Sequence, residues 1–211
     1  QNLLPRVVIC DPTLSLDLDP VQTASSGMDA LTHCLETFIA TAYNPPADGI
    51  ARDGIHRAAV HIERAVEDGS DLTARRELMA AALNGALASQ KGLGGVHAMS
   101  HAVSALLPAG VDHGAVNAVL LPLLLDFNEP AVASRYDVIR QEMGMPAHDD
   151  LAEEIARLRG RLGLPGRLAD LGFRACDVDR AAALASDDFC NRTNPRRAAT
   201  EDYRALFLRA L

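Results

Sequence analysis

Apolar residues recur at helical spacing through most of this chain, and that period constrains the fold more than any other feature. Met28, Leu31, Leu35 and Ile39 form one stripe behind a Ser/Thr-rich start at Thr23, Ser25 and Ser26, which predicts a capped helix ending by Asn44-Pro45-Pro46. Ile50, Ile55, Ala58, Ala59, Ile62 and Val66 predict a second helix from about Ala47 to Val66, stopped by Asp68-Gly69-Ser70. A third is expected over about Leu72 to Gln90, where Ala80, Ala81, Ala82, Gly85, Ala86 and Ala88 let neighbouring helices approach closely. After Lys91-Gly92-Leu93-Gly94-Gly95 come a histidine-bearing helix from about Val96 to Leu107, a loop Pro108 to Asp112, and a very apolar, buried helix from His113. Further helical segments are expected over roughly 130–143, 150–162, 177–187 and 200–210, between breaks at Gly144, Gly163, Pro165, Gly172 and Pro195.

Composition agrees with an all-α fold: Ala and Leu are abundant, aromatic residues make up 4%, and long β-branched runs are scarce. One exception stands at the start, where Val7-Val8-Ile9 before Asp11-Pro12 reads as a strand ending in a turn. Residues 1–22 are accordingly read as a strand-like junction segment and 23–211 as one helical domain. At 211 residues and 48% apolar composition the chain can bury a sizeable core without disulfide or metal support.

The net charge of −8, with no basic stripe interleaved with aromatics, disfavours a nucleic-acid partner. Four cysteines without a C-x-x-C pair suit a reducing cytoplasm rather than a disulfide framework. No membrane span is expected, because the longest apolar run, Ala118 to Leu125, is broken by Pro122 and is far short of the roughly 20 residues that cross a bilayer.

The chemistry concentrates in five residues. Asp29 and His33 lie four apart on one predicted helix and leave the same face about one turn apart, a spacing that suits chelation. His97 and His101 repeat that spacing on a second helix, and His113 opens the buried one. A carboxylate with imidazoles suits Zn²⁺ or Fe²⁺ and argues against Ca²⁺ or Mg²⁺. A lone helical histidine is ordinarily a core or surface group, and His56, His61 and His148 are read as surface residues in polar surroundings. Glu36, three residues from His33, is a candidate acceptor behind a ligand, but a helical carboxylate is ordinarily solvated and it is left out of the site; Cys34 is read as a small buried apolar residue, Cys176 and Cys190 as free thiols, and the Gly92-Gly95 run as a helix break.

Three ordered blocks, Gly27-Met28-Asp29-Ala30-Leu31-Thr32-His33, Gly92 through His101, and His113-Gly114 with Asn117-Ala118 and Leu121-Pro122, resemble the signatures of the iron-containing alcohol dehydrogenase family. The resemblance runs from about Pro5 to the end and includes Asn194-Pro195-Arg196. It implies the helical bundle of that family's C-terminal domain, with Asp29, His33, His97 and His113 as ligands to a divalent metal, Fe²⁺ first and Zn²⁺ as the alternative. It places His101 beside substrate and nicotinamide as a proton-handling residue rather than a ligand. The implied reaction is hydride transfer between an alcohol or aldehyde and NAD(P), with the metal polarising the substrate oxygen.

In that family a preceding Rossmann-like half carries a Gly-Gly-Gly-Ser block for the pyrophosphate, and no such block occurs here. NAD(P) binding is therefore expected only where a nucleotide-binding domain is supplied. Two other readings are carried: a metalloenzyme without hydride transfer, and a helical scaffold or homo-oligomerisation module with a structural metal. Leu93, Met99, Val103 and Phe127 are expected to border a small apolar pocket for a short aliphatic alcohol or aldehyde.

Overall fold

The computed structural model of the chain describes residues 6–107 and 110–211, so residues 1–5 and the start of the expected loop, Pro108 and Ala109, lie outside the described residues. The described residues form eight α-helices: α1 (Pro20–Ile39), α2 (Pro45–Glu67), α3 (Leu72–Ala88), α4 (Gly95–Leu106), α5 (His113–Glu142), α6 (Leu151–Arg161), α7 (Val178–Asp187) and α8 (Thr200–Ala210). Short 3-10 turns link several of them, and there is no strand among the described residues.

The strand expected at Val7-Val8-Ile9 is thus corrected. The segment is irregular, with these side chains 76%, 64% and 84% exposed, because no second extended segment among the described residues offers its backbone a ladder partner. The start of α1 is corrected as well. Asp19, not Thr23, is the N-cap: its carboxylate accepts the Gln22 N–H at 2.8 Å, and Pro20 takes the first helical position, where a missing N–H costs nothing. The Thr23 hydroxyl instead donates to the Asp19 carbonyl and accepts from the buried Arg75 guanidinium.

α1, α2 and α3 pack side by side, and α5 runs through the centre against α1, α4, α6 and α8, while α4 also rests on α7. Apolar side chains from every helix close one continuous core, with Met28, Leu31, Leu35, Ile55, Ile62, Met99, Leu120 and Leu121 wholly enclosed. By length and composition α5 could cross a bilayer, but it is the centre of this core, with Gly114 through Pro122 all buried. It also absorbs the segment expected as a separate helix over 130–143. Pro122 and Pro130 lie inside it, and the break is reduced to a kink at Val132, with φ −139° and ψ 25°, close to Pro130.

Two features fix the helices that carry the candidate ligands. The C-terminus of α1 receives the buried Lys91 ammonium, which donates to the Thr37 and Phe38 carbonyls at 3.0 and 2.9 Å and pairs with Asp48. Arg135 donates to the Phe38 carbonyl as well, so two cations meet the negative end of the helix dipole. At the N-terminus of α5, the Asp112 carboxylate caps Ala115 N–H at 3.0 Å and accepts a hydrogen bond from the Ser25 hydroxyl on α1. Gly114 makes that approach possible, since a Cβ there would collide with the Ser25 carbonyl.

Candidate metal centre

α1 presents Asp29, His33 and Glu36 at i, i+4 and i+7, one face of the helix. α4 meets that face end-on. Its N-cap is Gly94, which has no side chain to satisfy the first N–H groups, and the cap is supplied from elsewhere in the fold. Glu36 Oε1 accepts the Val96 N–H at 2.6 Å, Oε2 accepts the His97 N–H at 3.3 Å, and Asn194 Oδ1 accepts the Gly95 N–H at 3.0 Å. A Cβ on Gly94 would stand 2.7 Å from Glu36 Oε1 and 2.8 Å from Asn194 Oδ1, which explains the glycine run as the opening of α4. A carboxylate at the positive end of the α4 dipole is also favoured electrostatically.

The same Glu36 carboxylate accepts the Nδ1–H of His97 at 2.6 Å, and both side chains are 2% exposed. A carboxylate can only accept, so the proton of neutral His97 resides on Nδ1 and the Nε2 lone pair is left free. That Nε2 is buried without any hydrogen-bond partner and lies 3.9 Å from Asp29 Oδ1. His113 Nε2 lies 3.7 Å from the same oxygen. Asp29, His97 and His113 offer donor atoms all within 4.8 Å of one another. Donors bound to one tetrahedral ion at metal–ligand distances near 2.1 Å sit about 3.4 Å apart, so these separations fit an ion with little adjustment.

His33 stands beside this trio rather than inside it. Its ring centroid is 4.2 Å from that of His97, and its Nδ1 donates to the Asp29 carbonyl at 2.9 Å, which leaves Nε2 as its acceptor nitrogen. Gly85 of α3 packs against its Cβ. His101, one turn beyond His97, has its ring 5.9 Å from His97 and 6.0 Å from His113, and its Nδ1 lies 3.0 Å from Asp188 Oδ2.

Mutual electrostatics prepare the donors. Burial would raise the Asp29 carboxyl, but the hydrogen bond from His33 and the charges of His33, His113 and His97 together hold it below its ordinary value. Burial opposes a charge on His33, and the adjacent Asp29 outweighs it, so His33 is raised. His113 is lowered, by burial first and by His97, His101 and His33 next, against the pull of Asp29.

Two contributors are absent from the set predicted from sequence. Glu36, left out of the site as a solvated carboxylate, is the acceptor behind His97, and its i+7 relation to Asp29 places it on the ligand face. Asn117, one turn after His113, donates to Asp29 Oδ1 at 2.7 Å; in the sequence it stands only within the third signature block. The pocket lining is corrected too: Met99 and Val103 are wholly in the core, and Leu93 and Phe127 pack against it. The cleft beside Asp29 and His33, about 270 Å³, is lined instead by Ser26, Ala30, Ala82 and Ala86. His56 and His148 are exposed, and Cys34 and Cys190 are buried free thiols, while Cys176 is an exposed one.

Residues 23–211 match the model of the Fe-containing alcohol dehydrogenase family, C-terminal. The chain belongs to this family. A 4-hydroxybutyrate dehydrogenase from Cupriavidus necator is 45% identical over 97% of the chain and 56% of the relative, and a 1,3-propanediol dehydrogenase from Citrobacter freundii is 36% identical over 98% of the chain and 55% of the relative. Among solved structures, a 1,3-propanediol oxidoreductase superposes with a TM-score of 0.87 at 35% identity, covering 95% of this chain and 55% of that one. The chain spans about half the length of the relatives it matches, and its bundle corresponds to their C-terminal helical domain.

Proposed function

We propose that this chain is the metal-holding, substrate-side domain of an NAD(P)-dependent dehydrogenase acting on short primary alcohols and the matching aldehydes. The observation that carries the reading is the buried, unpartnered Nε2 of His97, fixed by Glu36 beside Asp29 and His113. Asp29, His97 and His113, with His33 completing the set, would hold Fe²⁺ or Zn²⁺. Such an ion supplies Lewis acidity toward a substrate oxygen.

The chain's own residues do the rest. Asp29 brings negative charge and Asn117 fixes the carboxylate through Oδ1. His33 and His97 each have Nδ1 engaged, so their Nε2 atoms need no tautomer change to act as donors. Asp29, His33 and His113 are each partly exposed, unlike the closed shell of a structural zinc site, and the cleft beside them suits a small substrate. His101 would accept the hydroxyl proton on oxidation and return it on reduction.

The nicotinamide cofactor belongs to a nucleotide-binding half. Val7, Val8 and Ile9, exposed and without a ladder, are the segment expected to pair with it. Similarity to a 4-hydroxybutyrate and a 1,3-propanediol dehydrogenase favours primary alcohols with a polar group at the far end of a three- or four-carbon chain. Fusing this chain behind the nucleotide-binding half of the Cupriavidus necator relative tests the reading. Alcohol-dependent NAD(P) reduction, lost in His113→Ala, is expected. A fusion that folds and binds metal and NAD(P), yet turns over no alcohol or aldehyde, would remove it.

A further inference from the structure

His101 is held by a residue far away in sequence. Asp188 precedes the 3-10 turn Phe189–Arg192, and its two carboxylate oxygens divide their work. Oδ1 caps the turn by accepting the Cys190 N–H at 2.8 Å, while Oδ2 lies 3.0 Å from His101 Nδ1. Phe189, 65% exposed, lays its ring 6.0 Å from the His101 ring at 30°, and the His113 ring is stacked at 6.0 Å and 18°. Among the described residues none is hydrogen-bonded to His101 Nε2.

We infer that Asp188 is the positioning residue for His101, holding its proton on Nδ1 so that Nε2 presents a lone pair to a ligand beside His113. The inference rests on the dehydrogenase reading above. In alcohol oxidation the hydroxyl O–H bond breaks and its proton passes to Nε2, while hydride leaves carbon for the nicotinamide. Asp188 keeps accepting the Nδ1–H and so stabilises the imidazolium, the division of labour that a carboxylate–histidine pair provides elsewhere.

His101, Asp188 and Cys190 also bring three donor atoms within 4.8 Å, which could suggest a second metal pocket. Two facts argue for the hydrogen-bonded pair instead. His101 Nδ1 is already engaged by the carboxylate, and the Cys190 thiol is kept protonated by burial and by the neighbouring Asp188 charge.

The inference is tested on the full chain, ¹⁵N-labelled at histidine, metal-free and zinc-loaded, by long-range ¹H–¹⁵N correlation at a pH where His101 is neutral. A hydrogen bond to a charged acceptor should keep the Nδ1–H tautomer above about ten to one. In Asp188→Asn, Oδ1 can keep the Cys190 cap while the amide N–H₂ faces Nδ1, so the ratio should invert toward Nε2–H. In Asp188→Ser, which can still cap the turn but does not reach the ring, the two tautomers should become comparable. An Nε2–H tautomer in the parent chain, or an unchanged ratio in both variants, overturns the inference. Zinc content, measured on the same samples, should be equal in parent and Asp188→Asn. Its loss from all samples would count against the metal reading alone, since the tautomer ratios are read without metal as well.

Discussion

Glu36 accepts three hydrogen bonds from the first turn of α4, so removing its charge acts on fold and site together. Glu36→Gln is expected to lower metal affinity about 10- to 100-fold, as losing a ligand-orienting carboxylate typically does. It should also cost about 1–3 kcal/mol of stability, because the amide nitrogen must face an N–H that then goes unpaired. Metal titration and urea unfolding read the two effects separately. Proton linkage gives a second prediction. His33 is raised above its ordinary 6.5, so in the metal-free chain its pairing with Asp29 contributes stability that is full below pH 6.5 and is lost as pH rises through the raised value. His113 is lowered from 6.5 and works in the opposite sense, contributing above 6.5 and losing it as pH falls. An ion needs both rings neutral, so metal affinity should rise with pH above 6.5 and binding should release a proton from His33, measurable by calorimetry in buffers of different ionisation enthalpy. At this scale the sequence was partly readable. The four-residue spacings of Asp29–His33 and His97–His101 are local, whereas Asp188 reaches His101 from 87 positions away and Glu36 reaches His97 from 61, distances over which spacing carries no information.

The helices were legible because their apolar period is strong, and what escaped was decided by contacts outside each element. Asp19-Pro20 starts α1 three residues before the Ser/Thr cluster because Thr23 serves Arg75, Ser25 serves Asp112 and Ser26 serves the helix backbone instead. α5 survives Pro130 with a kink at Val132 because α1, α4, α6 and α8 bury it along its length. Val7-Val8-Ile9 has strand propensity but no ladder within the bundle. The junction of α5 with α1 offers a sharp test. Gly114→Ala places a methyl against the Ser25 carbonyl and should destabilise the chain by about 1–3 kcal/mol, as overpacking usually does. It should also weaken metal binding, since His113 is carried on the same turn. Lys91→Met removes the buried cation from the end of α1 and should cost about 3 kcal/mol, toward the lower end for a broken buried pair, because Arg135 still faces Asp48. Thermal unfolding of both variants, with metal content measured on the same samples, checks these values.

The bundle as a whole brings three sequence-distant segments to one partly open site and leaves an exposed apolar strip at residues 7–9. Amide exchange at residues 7–9 should be fast in this chain and become protected when the nucleotide-binding half of a relative is added, if that strip pairs with it as proposed. The most direct test of the central claim is elemental analysis of the chain purified without chelators, alongside His33→Ala and His113→Ala. About one iron or zinc per parent chain, with most of it gone from both variants, is the expected result. Metal content unchanged in both variants, or absent from a folded parent chain offered iron and zinc, would contradict the account.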